Sequence, residues 1–168
     1  MSDFPKDMTV YRAFTDAASR HAHRPFLRAP AVATKAYAAG AIEYAYASAR
    51  EAVDTLAGGY AVAGVGQGHR IAVAYDSRLD VYIHLLALNA LGASLVPLNM
   101  AGSDEEVSYV IEHSDAKLVT GADDHRKRLA RLASRHDSIE AITADELSGG
   151  EAITASSGGI STEAAMLY

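Results

Sequence analysis

Asp80 and His84 lie four positions apart, one turn of a helix, a spacing that could supply two ligands to a metal ion. No third ligand stands near them, and Asp–His pairs at this spacing more commonly serve as surface or capping pairs. His21 and His23 flank Ala22 and have no evident partner. Serines, histidines and aspartates are all present, but no serine sits in the strand-to-helix elbow that a hydrolase triad requires. The absence of cysteine removes thiolate zinc sites, disulfides and a cysteine nucleophile together.

Two features could address phosphate. Gly64, Gly66 and Gly68 alternate with Val65 and Gln67. A dinucleotide fingerprint must follow a strand and open a helix, so that helix amides meet the pyrophosphate. Here the order is reversed, and the glycines read as a helix stop and a turn. The later Gly158-Gly159 pair is not followed by the Gly-Lys-Ser/Thr of a phosphate loop. His125-Arg126-Lys127-Arg128, with Arg131 and Arg135, makes one helix strongly basic. Such a helix could touch a phosphate or coenzyme; its commoner use is a solvated face with cations toward the carboxyl end of the dipole.

The elements that must position these groups follow from periodicity. Thr9 to His21 reads as a helix with Val10, Phe14, Ala17 and Ala18 on one face. Phe26–Ala29, bracketed by Pro25 and Pro30, suits an edge strand. Residues 36–46 mix strand-favouring tyrosines with helix-favouring alanines. From Ala47, an apolar stripe of Ala49, Val53, Leu56, Ala57 and Tyr60 marks an amphipathic helix. Ile71–Tyr75 is a doubly buried strand, and Asp76 or Ser77 is expected to cap the next helix, whose stripe runs from Leu79 to Leu91. Ala93–Leu98 is a second strand, with Pro97 near its end. Ser103 and Glu106 form a capping box before a helix bearing Val107, Val110 and Ile111. Lys117–Thr120 is a third strand, Asp123 is expected to cap a helix through Arg135, and Ile139–Ile142 is a fourth strand.

Strands alternating with helices through short connections predict an α/β fold of three layers, a mostly parallel sheet with flanking helices. In such sheets ligands sit beyond the carboxyl ends of the strands. That makes Tyr75, Asp76, Ser77, Asn99, Thr120 and Gly121 the candidate cleft-lining residues. None of them forms a catalytic constellation.

Composition bounds the function. Of 168 residues, 15 are Lys or Arg and 21 are Asp or Glu, a formal charge of −6. An acidic balance argues against nucleic acid and anionic membranes as partners. With 49% hydrophobic and 21% charged residues, the chain can build a packed core. No stretch is apolar for long enough to span a bilayer, and charges and Pro5 occupy the place of a signal peptide's apolar core, so a cytoplasmic setting is expected. Residues 1–147 read as one α/β unit, 148–163 as a Gly/Ser-rich linker, and 164–168 as the start of a further strand.

The segment Leu88-Asn89-Ala90-Leu91-Gly92-Ala93-Ser94-Leu95-Val96-Pro97-Leu98-Asn99 resembles the helix–strand element near the start of the AMP-forming adenylating superfamily, which includes acyl-CoA synthetases, peptide-synthetase adenylation domains and luciferases. The resemblance continues through Glu105-Glu106-Val107-Ser108-Tyr109 to Lys117-Leu118-Val119. Upstream it takes in Arg70-Ile71-Ala72-Val73, where His69 replaces the family's usual Asp, and it weakens at Glu43–Ala47. Ala164–Tyr168 resembles the strand leading into the family's ATP phosphate loop, and that loop is not in the sequence.

The resemblance implies the N-terminal segment of an ATP-dependent carboxylate–CoA ligase, truncated before the phosphate loop. The full-length enzyme would use ATP, Mg²⁺ and CoA on a small carboxylic acid. The residues that bind them would lie beyond Tyr168, so the segment alone is expected to be inactive, to bind none of these cofactors, and to self-associate through apolar surface. A complete, non-catalytic doubly wound binding or regulatory module would share the fold, and that alternative stays open.

Overall fold

The computed structural model describes residues 8–147 and Ala165. The chain begins with α1 (Val10–His21), β1 (Pro25–Ala29), α2 (Ala31–Thr34), β2 (Ile42–Ala45) and α3 (Tyr46–Val62). There follow β3 (Arg70–Ala74), α4 (Asp80–Ala90), β4 (Ser94–Pro97), α5 (Asp104–His113) and β5 (Ala116–Gly121). A 3-10 turn (Asp123–His125), α6 (Arg126–Ala133), β6 (Glu140–Ala141) and α7 (Ala144–Leu147) complete the described elements.

The alternation of side chains along β3 sorts the molecule into layers. Ile71 and Val73 point into a core with Tyr11 and Phe14 of α1, Val53 and Tyr60 of α3, and Leu86 and Leu88 of α4. Ala72 and Ala74 point the other way, against Val107 and Ile111 of α5 and Leu129 and Leu132 of α6. A strand buried on both faces has no polar side to alternate, which is why Arg70–Ala74 reads as a continuous apolar run after its first residue. The sheet is parallel throughout, in the order β4-β3-β5-β6, with Ile71 beside both Leu95 and Leu118. The expected three-layer α/β architecture is what the chain adopts. β1 and β2 form a separate antiparallel ribbon, Ala29 opposite Ile42. Ala165 makes a parallel bridge to Leu95 at the free edge of β4. The expected linker and the rest of 164–168 lie outside the described residues.

Several helix ends follow the sequence. The Thr9 hydroxyl accepts from Arg12 N at 3.1 Å. Both halves of the Ser103–Glu106 capping box are present, at 3.2 and 2.7 Å. α3 closes at Gly64, whose φ of +74° few other residues adopt cheaply, with Val65 N donating to Tyr60 O at 2.9 Å.

Others differ. Neither Asp76 nor Ser77 caps α4: the helix starts at Asp80 with no side-chain cap, because the Tyr75 carbonyl accepts from Arg78 N and turns the chain first. Asp123 opens a 3-10 turn rather than capping α6. On α1 the buried face is Tyr11, Phe14 and Ala18, while Val10 is exposed. A polar contact rotates it: Tyr11 N donates to Asn89 Oδ1 at 2.8 Å, and the Tyr11 hydroxyl donates to Asp54 Oδ1 at 2.7 Å.

Candidate functional site

β3 and β5 are neighbours whose connections leave in opposite directions, to β4 on one side and to β6 on the other. Such a switch point opens a crevice beyond the carboxyl ends of the two strands. The sequence placed Tyr75, Asp76, Ser77, Thr120 and Gly121 there, and the structure brings them to that edge.

What lines the crevice is a set of polar side-chain contacts. Asp76, at φ +50°, points its carboxylate at His125, with Oδ2 2.7 Å from Nε2. Arg78 pairs with Asp124, and its guanidinium lies 4.5 Å from the centre of the Tyr37 ring. A hydrogen bond from Asp124's own backbone and then the Arg78 contact hold the Asp124 carboxyl below the usual carboxylate range. The loops after β3 and β5 are thus tied together, with Tyr37 from the α2–β2 connection added on one flank.

The other candidates have mainly packing roles. Tyr75 is buried, and burial, reinforced by Asp80 and Asp123, pushes its phenol up to about 12. Thr120 is fully buried, and its hydroxyl has the Tyr75 phenol as polar neighbour but lacks a well-formed hydrogen bond. A Cβ at Gly121 would lie 2.6 Å from Ala74 O and 2.8 Å from Leu129 Cδ1, so glycine is required there by close packing. Ser77 is exposed. Asn99 is turned to its own loop, accepting from Ala101 N at 3.1 Å.

Beside the crevice a pocket of about 220 Å³ is lined by Asp123, Arg126, Thr143 and Glu146 at the ends of β5 and β6. Hydrogen bonds from the Thr143 hydroxyl and amide lower the Glu146 carboxyl. The pocket combines one cation with two carboxylates, and its Thr143 hydroxyl and Glu146 carboxylate are bound to each other as the cap of α7.

The remaining sequence candidates resolve without a ligand. Asp80 and His84 do not act together: His84 is buried, its Nδ1 2.6 Å from the Tyr60 hydroxyl, and burial pulls it down to about 3. Among the described residues no group of three His, Asp or Glu side chains could hold a metal ion. Three arginines of the basic segment converge on one carboxylate. Arg128 Nε lies 2.8 Å and Arg131 2.5 Å from Asp104, with Arg135 at 3.6 Å. Hydrogen bonds from Arg131 and then Arg128 hold Asp104 low. The glycine turn has already used its amides: Gly64 N on Ala61 O, Gly66 N on His69 Nδ1 and Gly68 N on Gly92 O. A triphosphate would find the Gly64, Gly66 and Gly68 amides and the Arg128, Arg131 and Arg135 guanidiniums already engaged. The sequence reading missed the Tyr60–His84 pair and the Arg78–Tyr37 stack; the one available signal was a histidine inside an otherwise apolar helix.

The sequence profile of the AMP-binding enzyme family matches residues 14–163. A linear gramicidin synthase chain of Brevibacillus parabrevis is 29% identical over 117 residues, which cover 70% of this chain and 1% of that one. A long-chain-fatty-acid–CoA ligase of Archaeoglobus fulgidus superposes with a TM-score of 0.81 at 15% identity, covering 99% of this chain and 35% of that one. O-succinylbenzoate coenzyme A synthetase of Bacillus subtilis, solved with ATP and magnesium ion, gives a TM-score of 0.69 at 19% identity over 86% of this chain and 36% of that one. At these identities the structural likeness is one of fold, and the chain spans about a third of either solved structure.

Proposed function

The chain belongs to the AMP-binding enzyme family, and from that premise we propose that it is the N-terminal α/β segment of an ATP-dependent carboxylate–CoA ligase. In the proposed reaction a carboxylate oxygen attacks the α-phosphorus of ATP, forming an acyl-adenylate and releasing pyrophosphate. The thiol of CoA then displaces AMP from the acyl carbon and leaves a thioester. The observation that carries this reading is the family match along residues 14–163, with the four-stranded parallel sheet of the same span in support.

Two observations support a role for this part other than holding ATP or magnesium: the glycine turn spends its Gly64, Gly66 and Gly68 amides internally, and Arg128, Arg131 and Arg135 are turned to Asp104. This part of the chain therefore has a scaffolding role. It supplies the sheet against which the rest of the protein builds its nucleotide and acyl sites. By itself the 168-residue chain is inactive and binds none of ATP, Mg²⁺ or CoA. It self-associates through apolar side chains such as Val32 and Val62, each 83% exposed. No described helix is long and apolar enough to cross a membrane, in keeping with work in the cytoplasm, where ATP and CoA are at hand.

The test is carboxylate-dependent exchange of pyrophosphate into ATP, followed by CoA-dependent release of AMP, with the whole protein and the isolated chain run side by side. The whole protein should do both and the chain neither. Exchange by the isolated chain would overturn the scaffolding role. Exchange without CoA turnover would favour a second reading, an adenylation domain that loads a carrier-protein thiol, which the likeness to the gramicidin synthase supports.

A further inference from the structure

On the α3–α4 side of the sheet a groove of about 440 Å³ runs between Tyr44 of β2, one face of α3, the start of α4 and Ala144. That volume is within the range of small-molecule sites, and the floor is apolar, with Ala52, Leu56 and Ile83 on it. Its charged lining residues are Glu51 and Asp80, and no lysine or arginine lines it. Neither carboxylate is engaged in an ion pair or hydrogen bond with another described residue.

The rings on the wall frame this charge. Burial and then the Asp80 carboxylate raise the Tyr44 phenol, and Asp80 acts on the Tyr75 phenol as well. Asp80 therefore lies near both aromatic walls of the groove. Behind them the His84 ring is 4.5 Å from that of Tyr75, centre to centre, and only 4% exposed. Its Nδ1 is held by the Tyr60 hydroxyl, while Nε2 has no partner among the described residues and its edge reaches the groove. His84 is neutral at any physiological pH, so it brings no positive charge of its own.

We propose that this groove binds a small organic ammonium ion with an apolar body. The Glu51 and Asp80 carboxylates can each accept an N–H of a primary ammonium, whose third N–H is left to water at the open side of the groove. Tyrosine faces attract a cation, and the apolar floor takes the carbon skeleton. A carboxylate or phosphate ligand would meet two like charges and no donor cation. The proposal is independent of the ligase reading, since it uses residues that reading leaves unassigned.

The experiment titrates the isotope-labelled chain with 2-phenylethylamine, and separately with 2-phenylethanol and 3-phenylpropionate, following amide shifts by NMR. The amine should shift Tyr44, Glu51, Asp80 and His84 saturably and bind about tenfold or more tightly than either control. Asp80→Asn should weaken the amine about tenfold and leave the alcohol unchanged. Equal binding of the propionate, or no saturable shift at about 10 mM amine, overturns the proposal without reference to any variant. An Asp80→Asn protein with an unchanged spectrum elsewhere and undiminished amine affinity overturns it as well.

Discussion

The Tyr60 hydroxyl and His84 Nδ1 are 2.6 Å apart inside the core, one side chain on α3 and the other on α4. Burial keeps His84 neutral, with its pKa moved from the ordinary 6.5 to about 3. The unfolded chain therefore takes up a proton that the folded chain refuses. Stability from this source is complete above about pH 6.5 and declines on acidification toward pH 3, by about 1.4 kcal/mol per pH unit. Tyr60→Phe should cost about 1–3 kcal/mol at pH 7.5, because it leaves His84 without its partner. The double change Tyr60→Phe with His84→Leu should recover part of that loss and flatten the decline between about pH 6.5 and 5. Urea unfolding at pH 7.5, 6 and 5 checks both. A double variant that keeps the full acid slope would refute the assignment.

Arg128 joins three pieces of backbone and side chain: Asp104, the Met100 carbonyl at 2.6 Å and the Gly102 carbonyl at 2.6 Å. The planar fork of an arginine can serve all three at once and a lysine cannot. Arg128→Lys should therefore destabilise by about 1–2 kcal/mol, read as a melting-temperature fall of about 2–8 °C. Asp104 carries a lowered carboxyl, so its contribution is present above the ordinary carboxylate pKa and is lost as pH falls through the lower folded value. Asp104→Asn should alter the acid limb below about pH 4 and leave the His84 window untouched.

Much of this fold could be read from the chain because its elements satisfy local and global rules together. The Ile71–Ala74 run, the Ser103–Glu106 box and the Gly64 helix stop each have a local cause that tertiary contacts reinforce. The misplacements fall where tertiary contacts decide. Asp76 and Asp123 look like caps, but Asp76 is drawn to His125 and Asp123 sits in a 3-10 turn. Val10 has the spacing of a buried residue, yet the Tyr11–Asn89 contact turns it outward. The site was legible only as an edge. Which side chains would pair across the switch point depends on strand order, and periodicity does not carry strand order.

Gly59 lies inside α3, where alanine is ordinarily better by about 1 kcal/mol. A Cβ at this position would run into the backbone carbonyl of Leu147 on α7. A backbone atom cannot step aside as a flexible side-chain end can, so the clash decides the sign. Gly59→Ala should destabilise by about 1–3 kcal/mol and displace α7, which amide shifts of residues 144–147 would report. An increase in stability would mean that α7 does not dock on α3 in solution.

Asp76 tests the switch point itself, because its backbone and its side chain pull in opposite directions. At φ +50° the backbone favours glycine or asparagine, while the carboxylate contacts His125 at 2.7 Å on a partly exposed surface. Surface pairs of this kind contribute about 0.2–1 kcal/mol. Asp76→Asn keeps tolerance of the left-handed backbone and loses only the charge, so it should cost less than about 1 kcal/mol. Asp76→Gly relieves the backbone while losing the contact and should be close to neutral. Asp76→Ala loses both and should cost about 1–2 kcal/mol. Thermal melts of the three variants give the order Gly and Asn above Ala. If Ala matches Asn, the positive φ is not held in solution, and the loop after β3 takes another path.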